Sequence, residues 1–508
     1  MSWLDPERLA KLRQKQESAF VPALLHRPLA IAFLVPTADV AAITPDRLTT
    51  VSILMRVAAA ALLWPVELGG WDWGPGLWLA VFLWHFGCVL DAADGALARY
   101  RGLSSSFGRF YDKVSDRLIT LVMGLALGAR AYVDTQNVIY PLLALLYIAV
   151  HSSASVAKWT ELSIVSDPGE KAVDPLEVAA PRRSAGAWAK FLAKRLWAGF
   201  YVSEVDLPLW GSIAVLVGWE PWLLIYLCLT AVPYAMMIII RRGRRVYALG
   251  DERPVRPPVS SRAERLRLLR QKQETTFVPL FLHRPLAIAM LLPTAELPWL
   301  TPNRLTTASI VLRVVAAGLL VPWVGTEDFA LAMTLTAAAL WNIGCIFDAA
   351  DGALARYRRW VSPFGRFYDK VSDRLLTMLF AAALAYRAYE GTGEVSWVLL
   401  ATAWLGTMGA SSVAKWIQVG TDPALDGRDD HEDFAPERSF GDWVIHLLKW
   451  LPSAIFITEV DLPLWGSLAA LLGLESWVLG AAAAIGIPYG VIAIARRGAA
   501  LVRLDRGR

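Results

Sequence analysis

Two nearly identical stretches of the sequence carry the residues best suited to chemistry. Residues 91–117 and 348–374 differ at only four of 27 positions. Each brings four aspartates to two consecutive apolar segments: Asp91, Asp94, Asp112 and Asp116 in the first, and Asp348, Asp351, Asp369 and Asp373 in the second. Spacings of three and four residues put each pair on one helix face, so the two pairs can meet across a helix hairpin. Four gathered carboxylates repel one another, and a hard divalent cation with oxygen ligands is the simplest remedy because no His or Cys accompanies them.

A glycine and an arginine follow the first two aspartates of each stretch. Asp91 is expected roughly 22 Å along its helix, beneath one membrane face, where a charged side chain is costly enough to suggest function. Gly95 would let a ligand approach the backbone, and Arg99 offers planar donors suited to phosphate oxygens. These types together predict a phosphate-bearing, metal-chelated substrate that arrives at the membrane surface. The alternative is that ion pairs, such as Asp112 with Arg99 or Arg109, only hold the spans together.

The composition indicates the kind of scaffold that must position these groups. Of 508 residues, 56% are hydrophobic and only 19% are charged, and the mean hydropathy is +0.43. These values predict an integral membrane protein and exclude a disordered, fibrous or disulfide-rich chain.

The chain contains an internal duplication. The segment that begins at Arg13 recurs at Arg270, and this offset of 257 persists to Lys158 and Lys415. We therefore predict one domain at 1–240, an Arg- and Pro-rich linker at 241–261 and a second domain at 262–508.

Apolar segments predict six spans in each half, about twelve in all. In the first half they lie near 46–66, 76–100, 107–132, 137–163, 204–219 and 221–240, and the fifth is the shortest. An amphipathic, non-spanning helix is expected before each set, at about 5–34 and 262–291. An even number of spans makes the repeats parallel, so the predicted fold is all-α with two six-helix transmembrane repeats related as a pseudo-two-fold dimer.

Basic residues indicate the orientation. Lys and Arg concentrate in the connections on the side of the termini and the linker, whereas the opposite loops hold acids and Trp, with Arg130 and Arg387 as exceptions. We expect an inner-membrane protein with cytoplasmic termini and active sites.

At the aspartates the sequence closely resembles the CDP-alcohol phosphotransferase family. The family signature is Asp, two residues, Asp-Gly, two residues, Ala-Arg, eight residues, Gly, three residues, Asp, three residues, Asp. Both halves meet it in full: Asp91, Asp94, Gly95, Ala98, Arg99, Gly108, Asp112 and Asp116, then Asp348, Asp351, Gly352, Ala355, Arg356, Gly365, Asp369 and Asp373.

The resemblance implies that the hydroxyl of an acceptor alcohol displaces CMP from a CDP-linked alcohol. It implies Mg²⁺ or Mn²⁺, two per site, held by the four aspartates of each half, with Asp116 and Asp373 also acting as general bases. The glycines, alanines and arginines of the signature would line the CDP site. Members usually form homodimers, so the tandem repeat resembles a covalent dimer and could be monomeric.

The first half departs from the family pattern at one position where the second half follows it. The family's Thr-Pro-Asn is present as Thr301, Pro302 and Asn303, but the first half has Asp46 at the Asn position. A carboxylate near the nucleotide removes a donor and adds negative charge, so the first site is expected to bind nucleotide differently. Helix N-capping is the alternative role for both residues.

Other shared polar residues are candidates for an acceptor pocket or for ordering loops. They are Lys158, Arg183, Glu204, Asp206, Lys415, Arg438, Glu459 and Asp461. His26 and His283 are interpreted as contacts of the amphipathic helix. His85, which is Asn342 in the second half, could affect the choice of acceptor.

The resemblance leaves the two alcohols open. We expect CDP-diacylglycerol as donor, at least one lipid substrate, and no nucleic-acid partner. The alternatives are a non-lipid donor such as CDP-inositol and, more distantly, a twelve-span transporter or a partly inactive scaffold.

Overall fold

The structure is a computed structural model that describes residues 6–13, 21–70, 75–165, 186, 189, 206–250, 256, 258–270, 277–322, 329–422 and 460–506. Over these residues it contains sixteen α-helices and no β-strand, which confirms the predicted all-α class. The first half contributes α1 (Pro6–Leu12), α2 (Arg27–Thr37), α3 (Pro45–Leu63), α4 (Gly76–Arg101), α5 (Ser106–Thr135), α6 (Ile139–Ile164), α7 (Leu207–Val217) and α8 (Glu220–Ala248). The second half repeats them as α9 (Arg262–Leu269), α10 (Arg284–Thr294), α11 (Pro302–Leu320), α12 (Ala330–Tyr357), α13 (Pro363–Thr392), α14 (Ser396–Thr421), α15 (Leu462–Leu472) and α16 (Glu475–Arg506).

Local chemistry explains where the long helices begin and end. The Thr44 hydroxyl accepts from the backbone N–H of Arg47 and caps α3, and Ser105 caps α5 in the same way through Gly108. Gly102 ends α4 with a φ of 66°, a left-handed conformation that glycine adopts readily. The hairpin between α4 and α5 is therefore short and tightly defined.

The prediction of one continuous amphipathic helix before each set of spans is wrong. In the described residues α1 ends at Leu12, and α2 continues past residue 34 to Thr37. A π-helical turn, Pro22–His26, precedes α2, and the N–H of Arg27 donates to the carbonyl of Pro22. Pro28 has no N–H to offer the preceding turn and crowds its carbonyls, so the wider turn accommodates it. The second half has the same turn at Pro279–His283.

Eight of the described helices are long and apolar enough to cross a membrane: α4, α5, α6, α8, α11, α12, α14 and α16. The protein is therefore an integral membrane protein. Helices α3 and α13 have the same lengths as their repeat partners α11 and α5. The short helices α7 and α15 have 11 residues each, about 16 Å of helix, which is less than the thickness of the hydrocarbon core.

The two halves pack against each other through equivalent helices. Helices α5, α6 and α8 of the first half contact α13, α14 and α16 of the second. One buried cluster joins Phe110, Val114 and Val156 to Val413, Ile417 and Leu501. The contact is reciprocal, since Gly243 of α8 lies against Phe364 and Phe367, and Gly498 of α16 lies against Phe107 and Phe110.

Ion pairs account for the two basic residues that depart from the charge pattern. Arg130 lies 2.7 Å from buried Glu220, and Arg387 lies 2.7 Å from buried Glu475. Each pair joins the third and last long helices of its half. Both arginines are neutralised within the protein, so they carry no exposed positive charge of the kind that sets topology.

The close contact between α6 and α14 predicts that a larger residue at this contact destabilises the protein. A Cβ atom on Gly409 would lie 2.9 Å from the Cβ of Ser152, which the backbone of α6 fixes. Gly409→Ala should therefore force the halves apart and lower the free energy of unfolding by about 1–3 kcal/mol. Thermal unfolding of the detergent-solubilised protein measures this.

Gly420→Ala is the matched control because Gly420 lies in the same helix and a Cβ atom added there would have no neighbour within 4 Å. This substitution should leave stability unchanged or slightly raised. Equal effects of the two substitutions would contradict the close packing of α6 on α14.

Candidate active site

Three aspartates of the first half converge where α4 and α5 face each other. Asp91, Asp112 and Asp116 each offer a carboxylate oxygen, and these oxygens lie within 4.8 Å of one another. In the second half α12 and α13 bring Asp348, Asp351 and Asp369 together within the same limit. The hairpin geometry thus gathers carboxylates that are up to 25 residues apart in the sequence.

Residues of α3 and α11 contact further carboxylates of the two clusters and their neighbours. The Thr49 hydroxyl of α3 donates to the carboxylate of buried Asp94, and Thr306 of α11 donates to that of Asp351. Asp373 lies 3.5 Å from the guanidinium of Arg313. The third helix of each site, α3 or α11, therefore contacts carboxylates of α4, or of α12 and α13.

A buried arginine that sequence reasoning missed lies at the centre of each group. Arg56 of α3 donates to Asp91 over 2.6 Å and lies 3.9 Å from Asp116. Arg313 of α11 makes the same 2.6 Å bond to Asp348. The available signal was an arginine inside an apolar segment, present in both repeats, since a charge at such a position suggests function.

Lysines from the third span also contact the aspartates. Lys113 Nζ lies 2.9 Å from Asp112 and 3.3 Å from Asp116, and Lys370 Nζ lies 2.6 Å from Asp369. Ion pairs therefore exist at both sites, and the arginine in them is Arg56 or Arg313. One arginine and one lysine stand beside four aspartates in each half, which leaves an excess of negative charge that a cation can balance.

The donor set fits a hard divalent cation. Each cluster consists of aspartates alone, and carboxylate oxygens are the ligands that Mg²⁺ and Mn²⁺ prefer. No sulfur or imidazole ligand belongs to either cluster among the described residues. Asp91, Asp112 and Asp116, or Asp348, Asp351 and Asp369, could hold the ion.

The signature glycines have definite structural roles. A Cβ atom on Gly95 would lie 3.3 Å from Nη1 of Arg99, and one on Gly352 would lie 3.3 Å from Nη1 of Arg356. The glycines therefore let each guanidinium lie against the helix that carries the aspartates. Ala98 and Ala355 are half-buried on the same helices.

The glycines that begin the third spans belong to helix caps. Gly108 donates its N–H to the hydroxyl of Ser105, and Gly365 donates to that of Ser362, each over 2.9 Å. Next to Gly365 a cleft is lined by Thr301, Pro302, Asn303, Trp360 and Ser362. Asn303 thus lies beside the start of the helix that carries Asp369 and Asp373.

The candidates for an acceptor pocket have other contacts. Asp206 accepts from the N–H of Val21 over 2.8 Å, and Asp461 accepts from that of Val278 over 2.8 Å, so both anchor the segment before α2 or α10. Lys158 lies 5.8 Å from the ring of Trp159, and Lys415 lies 5.0 Å from that of Trp416. Arg183, Glu204, Arg438 and Glu459 lie outside the described residues.

Histidines join the juxtamembrane segment to the bundle. His26 Nε2 lies 3.1 Å from His85 Nδ1, and His85 Nε2 lies 3.2 Å from the Ser212 hydroxyl of α7. In the second half Asn342 bridges His283 and Ser467. Burial, together with the charges of His85 and Arg56, lowers the pKa of His26 to about 4. His26 is therefore a neutral hydrogen-bonding group near pH 7.

Comparison with known proteins gives two matches. The profile of the family described as CDP-alcohol phosphatidyltransferase matches residues 42–174 and 299–423, together just over half of the chain. The archaetidylinositol phosphate synthase of Pyrococcus horikoshii is 37% identical over 87 residues, which are 17% of this chain and 42% of that protein. The chain thus matches less than half the length of this relative. No solved structure is significantly similar to the chain.

The clustered aspartates predict stabilisation by divalent cations. Mg²⁺ or Mn²⁺ bound only to the folded protein should raise the melting temperature by at least about 2 °C at a hundredfold excess over Kd. The combined variant Asp112→Asn, Asp369→Asn should lose this rise, because it removes one carboxylate from each cluster. Thermal unfolding with MgCl₂, or with KCl at equal ionic strength, measures the effect.

Glu67→Gln serves as the control for this measurement. Glu67 is exposed in the turn after α3, at the other end of that helix from Thr44. This variant should keep the full response to MgCl₂. An unchanged response in the double aspartate variant would contradict cation binding at the clusters.

Proposed function

Because the chain belongs to the CDP-alcohol phosphatidyltransferase family and is a phosphotransferase, we propose that it joins CDP-diacylglycerol to an acceptor alcohol and releases CMP. One observation carries this proposal. Each half holds the complete signature, with three of its aspartates in one cluster of carboxylates. We therefore propose two competent sites, one in each half.

The proposed reaction is a single displacement at phosphorus. The acceptor oxygen forms a bond to the phosphorus that carries the diacylglycerol, and the bond from that phosphorus to the oxygen of CMP breaks. Asp116, or Asp373 in the second half, takes the proton from the acceptor hydroxyl. CMP leaves with the electron pair of the broken bond, so the products are a phosphodiester and CMP.

We propose that the aspartates hold Mg²⁺ or Mn²⁺, two per site. The first site would use Asp91, Asp94, Asp112 and Asp116, and the second Asp348, Asp351, Asp369 and Asp373. Such ions, when bound, would neutralise the diphosphate and stabilise charge on the leaving group. The clustering of carboxylate oxygens without other ligand types supports this assignment.

Arg56 and Arg313 are proposed to position the aspartates. A bond of 2.6 Å from each guanidinium to Asp91 or Asp348 fixes one carboxylate. The same guanidinium approaches the proposed base, at 3.9 Å for Asp116 and 3.5 Å for Asp373. A carboxylate held in one orientation loses less entropy when it binds a cation or accepts a proton.

The nucleotide is proposed to lie at the cap end of the third spans. The lining residues would be Gly95, Ala98, Arg99 and Gly108 in the first half, and Asn303, Gly352, Ala355, Arg356 and Gly365 in the second. Arg99 and Arg356 are suited to diphosphate oxygens, because a guanidinium presents two parallel donors. The cleft at Asn303 beside Gly365 supports this orientation of the substrate.

The proposed setting is a twelve-span pseudo-dimer. Two domains, predicted at 1–240 and 262–508, would be related by a pseudo-two-fold axis along the membrane normal. The reciprocal contacts of Gly243 and Gly498 with phenylalanines of the other half support this. The linker predicted at 241–261 begins too early, because α8 continues to Ala248 and buries Arg242, Gly243 and Val246. The concentration of Lys and Arg beside the linker supports cytoplasmic sites in an inner membrane.

The acceptor is proposed to be a polar alcohol, with an inositol phosphate as one candidate. The name of the Pyrococcus horikoshii relative motivates this choice. Lys158, Lys415 and the loop residues Arg183, Glu204, Arg438 and Glu459 would contribute to the pocket. The bonds of Asp206 and Asp461 to Val21 and Val278 favour an anchoring role for those two instead.

CMP release is the direct test of this function. The purified protein with Mg²⁺ and CDP-diacylglycerol is assayed with glycerol phosphate, inositol phosphate, inositol, serine or water. CMP should appear with at least one acceptor, and the combined variant Asp116→Asn, Asp373→Asn should lower its rate at least about 100-fold, because both bases are lost.

Controls come from the same two helices. Asp134 and Glu390 are exposed near the other ends of α5 and α13, and Asp134→Asn with Glu390→Gln should keep the wild-type rate. CMP release only with CDP-inositol as donor would move the proposal to a non-lipid donor. The absence of CMP with every donor would refute the proposed reaction.

A further inference from the structure

The halves differ at the proposed nucleotide end of the two sites, although their aspartates are identical. The signature stretches differ at four positions, three in the loop after the second span and one at the first residue of the third span. Gly102, Leu103, Ser104 and Ser106 correspond to Arg359, Trp360, Val361 and Pro363. Every other position of these stretches is the same.

The loop of the second half builds one side of a cleft. Trp360 lines it together with Asn303 and Ser362. The corresponding residue of the first half, Leu103, is 55% exposed. An indole face can stack on a nucleobase, whereas Leu103 has no ring. The amide of Asn303 can donate and accept hydrogen bonds, whereas the carboxylate of Asp46 can only accept them.

The first half has an additional carboxylate at the start of its third span. Asp505 of α16 accepts from the N–H groups of Ser106 and Phe107, over 3.2 Å and 2.8 Å. These amides begin α5, next to Gly108. The equivalent position after α8 is Gly250, which has no side chain, and the equivalent of Ser106 is Pro363, which has no N–H.

The charges at matched positions therefore favour an anion at the second site. Asp46 and Asp505 beside the first site correspond to Asn303 and Gly250, and Gly102 corresponds to the cation Arg359. Arg359 keeps its position with a φ of 53°, which a residue with a side chain seldom adopts. A nucleoside diphosphate is an anion, so both charge and stacking act in the same direction.

We infer that the two sites are unequal and that the second half is the tighter binder of the cytidine nucleotide. This inference rests on the proposed function, since it assigns the substrate end of the same sites. The first half would bind the nucleotide on the order of tenfold more weakly, because its two extra carboxylates lie near the phosphates. The two halves would then fill in sequence as the donor concentration rises.

Calorimetric titration of the full chain with CMP and Mg²⁺ tests the inference. Two classes of site should appear, with dissociation constants on the order of tenfold apart. Asn303→Asp and Trp360→Leu, which install the residues of the first half, should each weaken only the tighter class. Asp46→Asn and Asp505→Asn should tighten only the weaker class. The amide oxygen that Asp505→Asn introduces can still accept from the two N–H groups, so the cap of α5 is kept while its charge is removed.

A titration in added NaCl distinguishes the effect of charge from the effect of stacking. NaCl should reduce the part of the difference between the two dissociation constants that the charges produce, whereas the loss of affinity caused by Trp360→Leu should persist. Glu67→Gln, which removes a distant charge, should shift neither class.

A single class of CMP sites in the wild type would overturn the inference and leave the proposed activity intact. The inference would also be overturned if the variants of the second half changed the weaker class, or if the variants of the first half changed the tighter class. Absence of CMP binding together with absence of CMP release would instead refute the proposed function itself.

Discussion

The cost of burying carboxylates between apolar helices governs the organisation of each half. Aspartates on two such helices need compensating positive charge, because the surrounding apolar side chains provide none. The protein supplies part of it from α3 and α11, through Arg56 and Arg313. Three helices are thereby bound together around one charged centre, and threonines of the same helices, Thr49 and Thr306, orient the buried carboxylates of Asp94 and Asp351. The centre is thus a structural feature as much as a chemical one.

This compensation is only partial. A centre that protein cations neutralised fully would attract a metal ion weakly, and a centre with no compensation would be costly to bury. One arginine and one lysine beside four aspartates leave each centre negative, yet the ion pairs they form are short enough to order the side chains. In such a centre the aspartates can replace ion pairs with arginine or lysine by contacts with a divalent cation at a modest cost in free energy.

Much of the architecture could be predicted from the sequence. The apolar segments predict where the eight long apolar helices lie, and the C-terminal end of α4 was predicted to within one residue. The aspartates could be recognised because they lie close together in the sequence and recur at a fixed offset. Arg56 could not be assigned to Asp91, because 35 residues separate them and only the packing of α3 on α4 brings them together. The end of α1 at Leu12 has no proline or glycine beside it to predict it. The partner of Asp206 could not be predicted because Val21 lies 185 residues away.

The bond from Asp505 to the start of α5 has a consequence for biosynthesis. The helix that carries Asp112 and Asp116 is among the first to leave the ribosome, whereas the carboxylate that caps it is made almost 400 residues later. During insertion into the membrane the N–H groups of Ser106 and Phe107 therefore lack this carboxylate until α16 has been added. The second half has one such N–H fewer at the equivalent positions, because Pro363 has none. The half that is synthesised first is thus the last to be completed.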